Sequence, residues 1–239
     1  MKILNKSQIQ ILAIVAMAAD HCAFLMPDSF LYYLCHIIGR MTIIIMSFFV
    51  AEGYFKTHNI HRYIIRMGIF ALISQLPFYL YGSAQLPQSL HAMLSEGFLR
   101  GSVIFTLFIG LCMLTVIKSH VKPVLKLAAV CFAFFLTYNS DWSWVCLLWI
   151  ALFGKWHGQI QKQIIAGVAA LLLYTVVRIA DGIIGDGDII WAFVQLGGLL
   201  AFPLLYLYNG EKGNAPKFAF YIFYPLHLLI LYFAELAVF

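Results

Sequence analysis

The stretch FLYYLCHIIGRMTIIIMSFFVAEGYFK, residues 30–56, decides the fold class of this chain. Its only Asp, Glu, Lys or Arg residues are Arg40, Glu52 and the terminal Lys56. The stretch is longer than the roughly 20 residues that a helix needs to cross the hydrocarbon core of a bilayer, which is about 30 Å thick. It therefore predicts a membrane-spanning helix.

The rest of the chain has the same character. Of its 239 residues, 63% are hydrophobic and 10% are charged, and the mean hydropathy is +0.91. Soluble domains carry about 25% charged residues. A soluble fold of this size could not bury so much apolar surface, because its surface-to-volume ratio limits burial. The composition therefore predicts that lipid covers most of the molecule.

The same length criterion divides the chain into helices, with Pro, Gly, Asn and charged clusters as boundaries. It predicts an all-α transmembrane bundle of about nine spans, near residues 8–27, 30–56, 63–82, 99–117, 123–138, 141–155, 160–181, 189–208 and 217–238. The fifth and sixth are short. Two tight spans and a re-entrant pair are both compatible with their lengths.

The positive charges predict the orientation of these spans, since Lys and Arg are retained on the cytoplasmic side of short loops. With a cytoplasmic amino terminus, the cytoplasmic flanks collect 12 of the 15 cations, namely Lys2, Lys6, Lys56, Arg62, Arg66, Lys118, Lys122, Lys126, Lys155, Lys162, Lys212 and Lys217. The opposite flanks carry Asp28, Glu96, Asp141, Asp181, Asp186 and Asp188. The net charge of +5 thus indicates topology, and no nucleic-acid partner is predicted.

No metal site is predicted either. The five cysteines lie singly in apolar runs with no CxxC pair, which is typical of small packing residues. The stretch DGIIGDGD, residues 181–188, lacks the ligand spacing and final Glu of an EF-hand loop. A solvated turn is the favoured interpretation.

Ionisable side chains inside the spans mark a candidate functional site. On insertion scales a charge at the middle of a span costs about 2.5–3.5 kcal/mol, so each such residue needs a role. Asp20, His21 and Arg40 lie at the middle or outer depth of the first two predicted helices, and His227 lies near the middle of the last. Asp20 and Arg40 could form an ion pair. Because Asp20 and His21 are about 100° apart on a helix, we expect different partners for them in one cavity.

Arginines exceed carboxylates at this depth. Arg40, Arg100 and Arg178 are the cations outside the cytoplasmic flanks, and Asp20 alone cannot neutralise three of them. Arg presents a planar fork of donors suited to carboxylates and phosphates. The surplus therefore indicates a cavity for an anionic ligand. His36, four residues before Arg40, shares its helix face.

A second basic group lies at the predicted cytoplasmic mouth, around the turn between helices two and three. It consists of Glu52, Lys56, Arg62 and Arg66. Ordinary positive-inside anchoring, with side chains that snorkel towards water, is one interpretation. The other is an entry site for a polyanionic cofactor such as a CoA thioester, whose phosphates the cations would hold.

Several motifs together resemble those of the TraX family, membrane proteins that N-acetylate the amino terminus of F-type pilin. In chain order they are Asp20-His21, Gly39-Arg40, Glu52-Gly53, Arg62 to Arg66, SQLPF at 74–78, RGSV at 100–103 and YIFYPLHL at 221–228. The match spans residues 17–228 and is specific as an ordered set. The stretch 118–160 matches only loosely.

The resemblance implies a single transmembrane acyltransferase-like domain, residues 1–239, in the inner (plasma) membrane. It would move an acetyl group directly from cytoplasmic acetyl-CoA to an amine, such as a pilin-like amino terminus, or to another envelope acceptor. His21 or His227 would be the general base, Asp20 would orient or charge the site, and Arg40 would steady a carboxylate or oxyanion. The cofactor-binding candidates are Glu52, Lys56, Arg62, Arg66 and Arg100.

Two other classes of function remain open. A small membrane transporter or channel could use the Arg and His residues to line a path, although no internal repeat of the kind found in many transporters is evident. A non-catalytic pilus or envelope assembly factor would leave the surplus of buried charge unexplained.

The charge distribution makes a testable prediction about topology. Reporter fusions after Ala84 and after Gly187 should report the side opposite the cytoplasm, and a fusion after Ser119 should report the cytoplasm. The reason is that Lys and Arg are concentrated in the loops on the cytoplasmic side. A cytoplasmic report at residue 84 would contradict the predicted depths of all the ionisable residues.

Overall fold

The computed structural model describes residues 2–83, 100–185, 188–215 and 218–238. Its helices are α1 Lys6–Ala23, α2 Phe30–Gly39, α3 Met41–Lys56, α4 Ile60–Ser83, α5 Val103–Lys118, α6 Pro123–Thr137, α7 Ser143–Lys155, α8 Ile160–Ile184, α9 Ile190–Val194, α10 Ala201–Tyr206 and α11 Ala219–Val238. A 3₁₀ segment, Gln195–Leu200, joins α9 to α10. The fusion points Ala84 and Gly187 and the predicted flank charges Glu96, Asp186 and Lys217 lie outside the described residues.

The all-α prediction is confirmed, since the described ranges contain helices and a single isolated β-bridge, between Leu4 and Tyr208, but no strand. Every predicted helix has a counterpart. The second is interrupted at Arg40, where α2 passes directly into α3, and the eighth is divided into α9, the 3₁₀ segment and α10.

Four helical stretches in the described part of the chain are long and apolar enough to cross a membrane: Phe30–Lys56, Ile60–Tyr81, Ile160–Ile184 and Ala219–Ala237. Shorter apolar helices are Val103–Lys118, Pro123–Thr137, Ser143–Lys155 and Ile190–Tyr206. The count of nine spans therefore stays a prediction, as does the orientation of the amino terminus.

Local sequence signals start the helices. Asn5 and Gln8 form a capping box at the start of α1, in which each side chain accepts from the backbone N–H of the other residue. Ser29 caps α2 and Ser102 caps α5 by a single bond each, in which the hydroxyl accepts from the backbone N–H three residues later. Pro123 occupies the first turn of α6, where its missing N–H leaves no helical hydrogen bond unmade.

Helix α3 forms the centre of the bundle. Every residue from Met41 to Ala51 is buried, and α1, α5, α7 and the 3₁₀ segment pack around it. The outer helices instead expose apolar side chains, among them Ile165, Leu172 and Val176 on α8. In a chain that spans a membrane such faces are covered by lipid, so their exposure does not destabilise the fold.

One end of the bundle, here called the basic end, gathers the amino terminus and the segment before α11. The backbone N–H of Lys6 donates to Glu211 O at 2.9 Å, and that of Asn209 donates to Leu4 O at 2.8 Å. Lys56 Nζ donates to Gly210 O at 2.6 Å. These bonds bring together cations that the sequence predicts to share the cytoplasmic side.

Helices α6 and α7 are short because the turn between them enters the bundle. Their 15 and 13 residues span about 22 and 20 Å, which is less than a bilayer core. The N–H of Asp141 donates to Gly101 O at 2.8 Å, and Thr106 Oγ1 donates to Asp141 O at 2.8 Å. Trp142 has the left-handed φ of 59°, which is uncommon for a residue other than glycine. The turn is thereby held beside the ionisable residues of α1 and α2.

Candidate active site

Asp20 of α1 is held by two residues of α2–α3. Its Oδ1 accepts from Arg40 Nη2 at 3.0 Å and lies 2.6 Å from His36 Nδ1. His36 is completely buried, and the side chains of Asp20 and Arg40 are each only 14% exposed. A Cβ at residue 39 would collide with the side chain of Asp20, so Gly39 permits the close approach of the two helices.

His21, on the neighbouring face of α1, contacts His227 of α11. His21 Nδ1 and His227 Nε2 are 2.7 Å apart, and the rings stack with centroids 4.9 Å apart. His227 Nδ1 lies 2.9 Å from Phe223 O, an acceptor, so Nδ1 carries a proton and, in the neutral ring, Nε2 accepts. His21 Nδ1 must then donate to it. The chain of bonds therefore leaves His21 Nε2 unprotonated and without a hydrogen-bond partner among the described residues.

Asp20, His21 and Arg40 line a common cavity of about 720 Å³, here called the histidine cavity. His227 lies directly behind His21. The cavity is also lined by Arg100, just before α5, and by Asp141 and Trp142 of the α6–α7 turn. As the 100° spacing predicts, Asp20 and His21 have different partners at one cavity.

The matched motifs have structural roles around this cavity. Gln75 of the SQLPF motif donates from Nε2 to Arg100 O at 2.8 Å and accepts at Oε1 from Ser102 N at 3.3 Å. Tyr224 of the YIFYPLHL motif accepts at its hydroxyl from Val103 N at 3.4 Å. These bonds fix the RGSV segment, and with it Arg100, at the cavity wall.

Three residues near this cavity were missed as site members. His36 could have been suspected, because it shares a helix face with Arg40. Asp141 and Trp142 could not, since nothing in the sequence shows that their turn enters the bundle. The guanidinium of Arg40 lies 5.4 Å from the ring centroid of Trp142, a cation–π contact that joins the turn to α3.

A second cavity, of about 450 Å³, opens at the basic end and is here called the basic cavity. Its charged lining consists of Lys6, Glu52, Lys56, Arg66 and Lys212. Glu52 is already paired, because its carboxylate accepts from Lys56 at 2.8 Å and lies 2.9 Å from His157 Nε2. The remaining cations exceed the carboxylates of this cavity.

Arg66 of this cavity lies between two aromatic rings. Its guanidinium lies 5.2 Å from the ring centroid of Tyr63 and 5.8 Å from that of Tyr221. Its Nε is buried and has no hydrogen-bond partner among the described residues. A buried donor without a partner is costly, so this side chain is suited to an anionic ligand. The residues present thus fit the phosphates of a CoA thioester.

The structure does not bring all five cofactor-binding candidates together. Glu52, Lys56 and Arg66 line the basic cavity, whereas Arg62 is exposed in the first turn of α4 and is not part of the lining. Arg100 lines the histidine cavity instead. Lys6 and Lys212 join the basic cavity although they are far apart in the sequence.

The family of TraX proteins matches residues 5–235, which is nearly the whole chain. The chain belongs to the TraX family. A similar protein in Dichelobacter nodosus, the probable fimbrial assembly protein FimC of serogroup H1, is 30% identical over 230 residues, which cover 94% of this chain and 93% of the relative. No solved structure matches the chain. Together with the apolar helices, the membership supports a multi-pass membrane protein.

The bonds of Asp20 to Arg40 and His36, here called the clamp, predict that Asp20→Asn destabilises this TraX protein. Asn keeps the shape but removes the charge, so Arg40 loses its ionic partner in a largely buried position. Breaking such a pair costs roughly 3–5 kcal/mol. We expect a clear fall in the melting temperature of the detergent-solubilised protein.

Asp28→Asn is the matched control, because Asp28 is exposed and its replacement should change stability by less than about 0.5 kcal/mol. Equal melting temperatures for both variants would show that the clamp contributes nothing to stability.

Proposed function

We propose that this TraX protein is an integral membrane acetyltransferase of the inner membrane, which moves an acetyl group from cytoplasmic acetyl-CoA to an amine, such as a pilin-like amino terminus, or to another envelope acceptor. The observation that carries the proposal is the unprotonated Nε2 of His21 at the histidine cavity, which has no hydrogen-bond partner in the described part of the chain. A general base needs such a nitrogen in a positioned, largely dry site.

In this reaction His21 moves the proton. The transfer joins the acceptor nitrogen to the acetyl carbon and breaks the carbon–sulfur bond of the thioester. His21 Nε2 takes the proton that leaves the nitrogen and returns it to the departing sulfur. The bond from His21 Nδ1 to His227 fixes the tautomer that makes this possible, so His227 is a positioning residue. Direct transfer is preferred, because no Ser or Cys hydroxyl or thiol contacts a His among the described residues.

Charged groups around His21 would assist. The guanidinium of Arg40 borders the same cavity and would stabilise negative charge that develops on the carbonyl oxygen. Asp20 fixes Arg40 in that position through the bond to Nη2. At the basic end, Arg66, Lys56, Lys6 and Lys212 would hold the phosphates of the donor.

One observation favours a role in pilus assembly. The relative from Dichelobacter nodosus is named a probable fimbrial assembly protein. A non-catalytic assembly factor is therefore the second candidate function. It gives no reason for His21 Nε2 to be left free at a cavity, which is why the acetyltransferase is preferred.

Substitutions of the two histidines test the chemistry. His21→Ala should fold and bind acetyl-CoA but lose about 100- to 10,000-fold in the rate of acetyl transfer, since a general base contributes about that factor. His227→Leu should lose much of the rate as well, because His21 Nδ1 then has no acceptor. The measurement is release of free CoA, with melting temperature on the same preparations.

His227→Gln supplies the matched control, since its amide oxygen can still accept from His21 Nδ1 and should restore part of the rate. His227 selects the tautomer of His21 only while the His21 ring is neutral. The dependence of the transfer rate on pH should therefore also differ between His227→Leu and the parent. Full activity of both His21→Ala and His227→Leu would exclude histidine base catalysis from the proposed reaction.

Substitutions of two arginines test the donor site. Arg66→Gln should weaken binding of CoA and make the remaining affinity less sensitive to salt, because phosphate contacts are screened by ions. Arg62→Gln, on the same helix but outside the cavity, is the control and should bind CoA with the parental affinity. Both proteins, the parent and Arg66→Gln, are titrated with CoA and with its 3′-dephosphorylated form. If Arg66→Gln binds each ligand with the affinity of the parent, Arg66 serves only as a topology anchor.

A further inference from the structure

The histidine cavity and the basic cavity are separated by a wall one side chain thick. Met46 of α3 lines both cavities. On α5, Val103 lines the histidine cavity and the next residue, Ile104, lines the basic cavity. On α11, Tyr224 lines the histidine cavity and Tyr221, about one turn earlier, lines the basic cavity. The two cavities therefore abut inside the bundle.

The cavities also follow one another along the same helix faces. On α1, Gln10 and Ile14 line the basic cavity, and Met17 and His21 continue at intervals of three and four residues into the histidine cavity. Residues at this spacing form one stripe of a helix. The two cavities are thus consecutive parts of one groove, and Met46, only 3% exposed, interrupts it.

We propose that Met46 is a gate. Its side chain closes a passage that leads from the basic cavity to His21, and the thioester arm of an acyl-CoA must displace it to bring the acetyl group to the base. The inference rests on the proposed function, because it takes the donor phosphates to be held at the basic end.

The dimensions of the groove agree with this path. The guanidinium of Arg66 stacks on Tyr221, which precedes His227 by six residues, or about 9 Å along α11. The arm between the diphosphate and the sulfur of CoA has about twelve bonds, equivalent to four extended residues or roughly 14 Å. A diphosphate at Arg66 therefore allows the sulfur to reach the level of His21. Lys6, about 22 Å below His21 on α1, is too distant for this and suits the remoter phosphate.

Methionine is suited to a gate that moves. It is unbranched, with three rotatable bonds, so it can leave and refill a gap at little conformational cost. Its neighbours Ile44 and Ile45 are β-branched and stiff at χ1. Val103 and Ile104, on the facing side of the wall, are β-branched as well. Among these residues the path therefore opens most easily at Met46.

Trapping of CoA by introduced cysteines tests the gate without relying on turnover. Ile14→Cys places a thiol at the basic cavity and Ile43→Cys places one at the histidine cavity. The probe is the mixed methyl disulfide of CoA, from which the cysteine thiolate captures the CoA sulfur and releases methanethiol. Peptide mass spectrometry locates the adduct, and the protein without introduced cysteines supplies the background from its native ones.

We expect adducts at both introduced cysteines. Adding Met46→Trp should slow the adduct at residue 43 at least tenfold while leaving that at residue 14 unchanged, and adding Met46→Ala should accelerate it. Ile69→Trp, on a half-exposed face of α4 away from both cavities, controls for the added bulk and should alter neither adduct.

The other outcomes distinguish this inference from the proposed function. An adduct at residue 43 that is insensitive to Met46→Trp would overturn the gate. Adducts at residue 14 but never at residue 43 would overturn the passage and leave the donor site intact. No adduct at either position would overturn the donor site itself, and the gate with it.

Discussion

The contact between Asp20 and the Arg40–His36 pair determines how the rest of the site is arranged. A lone carboxylate within a span is unstable, and here one oxygen is shared between a guanidinium and an imidazole. The requirement to satisfy this oxygen holds α2 against α1, and Gly39 provides the space. It also fixes the rotation of α1, because the next residue must then point about 100° away. That direction is where His227 of α11 lies, so the structural pair positions the candidate base.

The helices could be predicted from the sequence because a membrane leaves few choices. Backbone groups in lipid must be bonded within a helix or a closed barrel, so long apolar runs give the helices almost directly. Their ends were less accurate. Helix α1 ends at Ala23 and not near residue 27. The junction of α2 and α3 at Arg40 has no marker in the sequence, because the backbone stays helical there, with φ and ψ of −59° and −25°.

The site was predictable in part. The choice of Asp20, His21, Arg40 and His227 followed from the cost of ionisable groups in a span, and the angle between neighbours gave Asp20 and His21 separate partners. The direct His21–His227 contact needs the packing of α1 against α11, which joins residues 206 positions apart. Arg62 and Arg66 could not be separated by spacing, because they are four residues apart. Arg66 lies against Tyr221 of α11, a helix that begins only at Ala219, whereas Arg62 is exposed in the first turn of α4 and does not line the cavity.

The histidine cavity combines two different ways of keeping polar groups inside a membrane. Around Asp20 the negative charge is balanced by the positive charge of Arg40. This arrangement is rigid, and losing one of its partners leaves a buried charge unpaired. Between His21 and His227 two neutral rings satisfy each other and a backbone carbonyl, with no net charge to desolvate. The His21–His227 pair can accept a proton without losing a partner, because the receiving nitrogen, Nε2 of His21, makes no hydrogen bond to the described residues and its side chain lines the cavity. The charged cluster is therefore suited to holding the helices in place, and the neutral one to proton transfer.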